Sequence, residues 1–315
     1  MSSAQRAGLG SERAGRRAQW SGRAAPYQFP KITARPLAAT QAQFCVGQVS
    51  DLPAQAGSLR HWGGFLKRFV LLLAAAIPVL AQDGRQIIQE VQKRQHTTSL
   101  RYEGTIRTVT GAFKNQAEAD KHTVMKRWTF ERLGEFGNSK AILRFTGPAE
   151  VKGVAMLIVN HPNGASDQWM WRPNIGRDQR VSVQDRSTRF FGTDFSFEDL
   201  EERDVDQYDF TLTGEAGGQW RIDAKPKKPS QYTHSYFYID KTNYTYNQIE
   251  AFNKKGPVRV IDYSDYKLIK GIWTPSGILV QDIVLKSRTV LTYDKVDYNL
   301  PMKEENFTVE ALRVE

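Results

Sequence analysis

Cysteine is almost missing from this chain. Cys45 is the only one in 315 residues, so no intramolecular disulfide can form, and a thiol nucleophile or thiolate metal site is excluded from everything after it. Histidine is scarce as well. Beyond the N-terminal part the chain holds His96, His122, His161 and His234, none spaced i, i+2 or i, i+4 to another, which argues against a histidine metal site. No Gly-x-Ser-x-Gly, Walker or dinucleotide fingerprint occurs. The apolar run Phe69–Ala81 stops at 13 residues, short of the ~20 that cross a bilayer as a helix. Acidic charge is lacking at one end only. Residues 1–81 hold ten of the 44 Lys and Arg but two of the 34 Asp and Glu. The basic excess of +10 therefore belongs largely to that segment, and the remainder has no net attraction for nucleic acid.

The same N-terminal segment carries a leader pattern. Lys67-Arg68, the apolar run and Val79-Leu80-Ala81 have the charged, apolar and small-residue regions of a secretory signal, with Val79 and Ala81 at the −3 and −1 positions. This predicts cleavage before Gln82 and export to the periplasm. No Cys follows the run, so lipid attachment of the chain itself is not expected. The residues ahead of the signal are rich in Ala, Arg, Gly and Gln without apolar periodicity. One reading makes them a basic targeting arm. We read 1–65 as a non-native extension from a start codon placed too early, 66–81 as the signal peptide and 82–315 as a single domain.

What is present is aromatic and strand-like. The part after Ala81 holds 28 of the 35 aromatic residues. Asp83 to Arg94 places Ile87, Ile88 and Val91 on one face of a short amphipathic helix. From Leu100 the apolar period changes to two, with turn residues about every ten positions. Tyr102 and Ile106 share a face, as do Trp128 and Phe130, Leu143 and Phe145, and Tyr208 and Phe210. In Gln168–Arg172 the alternation sets Trp169 and Trp171 against Gln168, Met170 and Arg172, and Arg180–Gln184 alternates again after a turn. The pattern predicts about eleven strands against at most three helical pieces, a mainly β (α+β) fold.

The segment after that pair is too aromatic for a solvated loop. Phe190, Phe191, Phe195 and Phe197 crowd around Gly192 beside Asp194, Glu198 and Asp199. The acids suit either a calcium site or helix capping, with Asp194 or Ser196 as the cap; capping fits their irregular spacing better. His234, on a strand face with Tyr232, Tyr236 and Tyr238, reads as a wall residue before it reads as a base.

Asp167-Gln168-Trp169, Arg172-Pro173, the pair Arg177 and Arg180, and above all Gly192-Thr-Asp-Phe-Ser-Phe-Glu-Asp-Leu200 resemble the bacterial outer-membrane lipoprotein-sorting proteins. That family is similar to the periplasmic carriers LolA and LolB, and the likeness runs from about Ile88 to the C-terminus. It implies a half-open antiparallel β-barrel with short helices forming a lid over an apolar, acyl-binding cavity. On this reading Trp128, Phe130, Leu143, Phe145, Trp169, Trp171, Tyr208 and Phe210 line the cavity. Ile87, Ile88, Val91, Phe190, Phe191, Phe195 and Phe197 form the lid. The implied function is a periplasmic carrier or chaperone of lipoprotein acyl chains or free lipid, without catalysis, metal or cofactor. An inner-membrane permease of the resistance-nodulation-division type is an implied partner, and nucleic acid is not. The rivals are a lipid sensor of the RseB type and a secreted lipid or glycan hydrolase.

Overall fold

The computed structural model describes residues 83–111, 116–162 and 164–313, so the expected signal peptide and N-terminal extension lie outside the described residues. The amphipathic stretch forms helix α1 (Gly84–Arg94). The Asp83 side chain caps it by accepting from the Gln86 amide at 2.8 Å, and Lys93 and Arg94 oppose the dipole in its last turn. After it come β1 (Ser99–Thr110), α2 (Gln116–Lys121), β2 (Val124–Glu135), β3 (Asn138–Gly147), β4 (Ala155–Asn160), β5 (Asp167–Arg172) and β6 (Arg177–Arg180). Following a long connection are β7 (Tyr208–Ala216), β8 (Gln219–Pro226), β9 (His234–Asp240), β10 (Tyr246–Asn253) and β11 (Gly256–Ser264). The last are β12 (Lys267–Ile269), β13 (Ile272–Thr274), β14 (Gly277–Asp282) and β15 (Ser287–Tyr298).

Thirteen of these strands make one sheet in the order β6-β5-β4-β3-β2-β1-β15-β14-β11-β10-β9-β8-β7, antiparallel throughout; β12 and β13 pair separately. The expected barrel of about eleven strands is corrected by this finding. The sheet is open, because β6 and β7 are edges that do not pair with each other. Both edges are blunted: β6 has four residues with an Arg at either end, while β7 carries a register shift between Leu212 and Gly214 and lies beside α1. The sheet nonetheless curls, since Lys228 Nζ, past the end of β8, donates to the Gly164 carbonyl ahead of β5. The bend is helped by a second shift in β1 at Glu103/Gly104. There a Cβ on Gly104 would lie 1.9 Å from the Thr292 carbonyl oxygen, so only glycine fits.

Strand alternation gives the sheet two apolar faces. On the inner face, Ile87, Ile88 and Val91 of α1 pack against Trp220, Ile222, Phe237, Ile239 and Ile249. A neighbouring cluster joins Ile106, Trp128, Leu143, Phe145, Met156, Met170, Phe190 and Phe197. No lid is seen among the described residues. Ile87 and Ile88 are 0% exposed and Phe190 is 1% exposed, so residues expected to open and close are fixed parts of the core.

On the outer face, Ile142, Leu157, Trp169 and Trp171 are covered by the C-terminal segment through Met302, Phe307, Val309 and Leu312. Arg144 ties that segment down by donating to the carbonyls of Leu312 at 2.9 Å and Ala311 at 3.0 Å. Phe307 is 2% exposed. Phe307→Ala should therefore cost about 3–5 kcal/mol in urea denaturation, whereas Val284→Ala, at a position 68% exposed, should stay within about 0.5 kcal/mol.

Candidate functional site

The inner face is organised by residues 188–203, which cross it between the two apolar clusters. Phe190 and Phe197 belong to one cluster, and Phe195 packs against both. A tight reversal at Phe191 and Gly192, both with positive φ, lets the Phe190 amide donate to the Phe195 carbonyl at 2.8 Å. Phe190 then stacks on Phe145 at 5.6 Å, and Phe191 meets both edge-on at 4.9 and 5.5 Å.

The acids of this segment anchor it, each to a different place. Asp194, 0% exposed, accepts from Arg189 and from the hydroxyls of Ser287 and Thr289 on β15. Asp199 accepts from the Ser196 amide and hydroxyl, both at 2.7 Å, from the Tyr232 hydroxyl at 2.8 Å, and from Arg259 of β11. The Asp199 amide in turn donates to Ser196 Oγ at 3.3 Å, so Ser196 and Asp199 make the reciprocal pair that Ser-x-x-Asp spacing allows. Glu198 accepts from Ser230 Oγ and the Gln231 amide. The expected capping is thus found at Ser196, while Asp194 serves as a long-range anchor. His234 lies on the outer face, stacked on Phe252 at 4.7 Å.

Beyond the anchored segment the inner face continues as a row of aromatic side chains, half-buried except for the fully packed Trp128 and Phe237. Tyr102 and Phe130 stack at 6.2 Å, Tyr102 meets Tyr293 edge-on at 4.9 Å, and Tyr293 meets Trp128 at 5.7 Å. Across β14 the row resumes with Tyr263 and Tyr246 at 5.8 Å, then Phe237, Phe210 and Tyr208. Burial holds the phenols of Tyr208, Tyr246, Tyr263 and Tyr293 above the usual tyrosine range, so they stand here as neutral groups.

At one end of the row opens a cleft of about 570 Å³. Its lining includes Arg186, Glu198, Glu201, Arg203, Tyr208 and Lys228, drawn from both edge regions of the sheet. Burial pushes the Glu201 carboxyl up to about 7, against the opposing pull of Arg186 at 3.4 Å. Gln168 Nε2 donates to Glu201 at 3.0 Å and to the Phe197 carbonyl at 3.0 Å. Burial likewise raises Glu202, in spite of Arg132 at 3.4 Å.

Of the expected cavity residues, Trp128, Phe130, Leu143, Phe145, Tyr208 and Phe210 share the inner face. Trp128, Leu143 and Phe145 are fully packed, whereas Phe130, Tyr208 and Phe210 remain half-buried. Trp169 and Trp171 face the other way and must be reassigned. Their alternation is as expected, but Met170 and Gln168 take the inner side because the C-terminal segment supplies the apolar cover outside. Tyr246, Tyr263, Tyr293 and Arg203 were not singled out from sequence. The signal available was Ile261 with Tyr263 and Leu291 with Tyr293, an aliphatic and an aromatic two apart on one strand face.

The Glu201 carboxyl titrates near 7 in the folded protein against an ordinary 4.5. Between those values the folded state keeps a proton that the unfolded chain has lost, so stability falls as pH rises through that window, by at most about 3 kcal/mol. Urea denaturation at pH 5 and pH 8 should show this loss, and Glu201→Gln should remove most of it. A pH dependence unchanged by the substitution would contradict the assignment.

A family model bearing the description "Uncharacterized protein" matches residues 137–314. No curated protein matches the chain. Among solved structures it is similar to a domain described as that of an outer membrane lipoprotein-sorting protein from Vibrio parahaemolyticus (TM-score 0.67, 22% identity, covering 73% of this chain and 98% of that one). A DUF1329 family protein from Desulfovibrio piger gives a TM-score of 0.67 at 21% identity, covering 73% and 97%. A LolA superfamily protein from Nitrosomonas europaea gives 0.58 at 17% identity, covering 73% and 99%. At these identities the likeness is one of fold.

Proposed function

Since the chain belongs to the family whose model spans residues 137–314 and has the LolA-like fold, we propose that it is a periplasmic carrier of acyl chains, those of a lipoprotein or of a free lipid. The observation that supports this most is the half-buried aromatic row of Tyr102, Phe130, Tyr293, Tyr263, Tyr246 and Phe210 on the inner face. Such a surface gains ~25 cal/mol for each Å² taken from water, and a lipid gains ~0.8 kcal/mol for each methylene laid against it. A guest chain serves both surfaces at once. In this proposal the guest lies along the row, and the segment 188–203 is the fixed wall beside it. Export through the signal peptide and delivery toward the outer membrane belong to the proposal. So does a permease of the resistance-nodulation-division type as donor or acceptor, which the family resemblance alone supports.

Native mass spectrometry of protein taken from the periplasm should find co-purified acyl lipid. Phe130→Glu and Tyr293→Glu place a charged carboxylate on the apolar surface where the guest chain would lie, and should weaken binding of a fluorescent fatty acid at least about tenfold. Trp169→Ala, on the outer face, should leave binding unchanged while lowering stability. Protein that carries no lipid and has no affinity for the probe would refute the carrier reading.

A further inference from the structure

We propose that Arg203 is the headgroup site of this carrier and that its amphiphile is anionic: a carboxylate or phosphate pairs with the guanidinium while the chain runs along Tyr208, Tyr246 and Tyr263. The proposal rests on the acyl-binding reading and narrows its substrate class. Arg203 stands where two surfaces meet. It lines the cleft of about 570 Å³ beside Tyr208 and Glu198. The phenols of Tyr263, Tyr208 and Tyr246 also lie close enough to interact with its charge, and Arg203 lines a small adjoining recess with Tyr208 and Phe237. A single side chain therefore touches both the polar opening and the aromatic row.

The internal pairing of charges leaves this guanidinium less occupied than the two buried arginines, Arg132 and Arg259. Arg132 and Arg259, whose side chains are 8% and 7% exposed, spend their donors on Thr97 and Gly134 carbonyls and on Asp199 with Tyr232. The Arg203 side chain is 26% exposed, and among the described residues its carboxylate partner is Asp199 Oδ1 at 3.8 Å. That separation exceeds the ~2.7–2.9 Å of a charge-assisted hydrogen bond, and Asp199 is already held by Ser196, Tyr232 and Arg259. A guanidinium has five N–H donors, so most remain for an incoming oxyanion, which it can clamp through two oxygens.

The acids of the cleft do not take that role. Glu201 is held by Arg186 and Gln168, and Glu202 by Arg132 and Ser139. Glu198 turns to Ser230 and Gln231. Of the three, Glu198 has no cation within ion-pair distance among the described residues and shares the cleft with Arg203, so its charge opposes an anionic guest. A fully acylated lipoprotein terminus carries no charge at its lipid end, and the site accordingly points to a fatty acid or an acidic glycerolipid as the better guest.

The test titrates the full chain, stripped of lipid, with a fluorescent palmitate analogue and with its methyl ester. The acid should bind about tenfold more tightly than the ester. Arg203→Gln should bring the acid down to the ester and leave the ester unchanged, Arg203→Lys should restore part of the preference, and Glu198→Gln should strengthen the acid alone. A parallel pair, phosphatidylglycerol against diacylglycerol, distinguishes phosphate from carboxylate by which pair is separated more widely. Acid and ester bound equally by the unsubstituted protein would overturn the headgroup site and leave the carrier reading standing. So would a preference untouched in Arg203→Gln; should that variant fail to fold, the acid-to-ester ratio and Glu198→Gln decide. No binding of either probe would overturn both.

Discussion

The interaction on which the inner face depends is the burial of two carboxylates, Asp194 and Asp199, against partners far along the chain. Asp194 reaches Ser287 and Thr289 of β15, and Asp199 reaches Tyr232 and Arg259. A buried carboxylate left without partners is costly, of order 3–5 kcal/mol when one side of such a pair is removed. The segment 188–203 therefore has one favourable place to lie. Once it lies there, Phe190 and Phe197 complete one apolar cluster, Phe195 joins it to the other, and Arg203 arrives at the end of the aromatic row. A curled sheet with unpaired edges would otherwise face water along its inner surface.

The two faces of the sheet are finished differently, and the difference is what makes one of them a site. Outside, Phe307 and Leu312 close over Leu157 and the two tryptophans, with Arg144 holding the backbone of the covering segment. Inside, α1 covers the strands near β7 and the 188–203 segment covers the region of β3 to β5, but the row from Phe130 through Tyr293 to Tyr246 keeps part of its surface. Aromatic groups suit that condition. They offer large apolar area with few rotatable bonds, and their hydroxyls tolerate residual water.

Much of this was legible in the sequence because strand alternation is local. The i, i+1, i+4 apolar set of α1 and the strands bearing Trp128, Phe145 and Tyr208 follow from neighbouring residues. The Ser196 and Asp199 pair is local too, although the sequence leaves the cap open between Asp194 and Ser196. What could not be read was which side of a strand faces inward when both sides are apolar. Leu157 and Met156 are both buried, as Trp169 and Met170 are both packed, and only the C-terminal segment decides between them. Closure was equally out of reach, because whether β6 meets β7 depends on curvature summed over thirteen strands. The resemblance supplied a lid that the packing of Ile87, Ile88 and Phe190 does not support.

The central claim is that a guest chain lies along the inner aromatic row. Photo-cross-linking with a diazirine-bearing fatty acid, followed by peptide mapping, tests it most directly. The account places the adducts on the strands that carry Phe130, Tyr263 and Tyr293. Adducts confined to the outer face, at Trp169, Trp171 or the 302–312 segment, would contradict it.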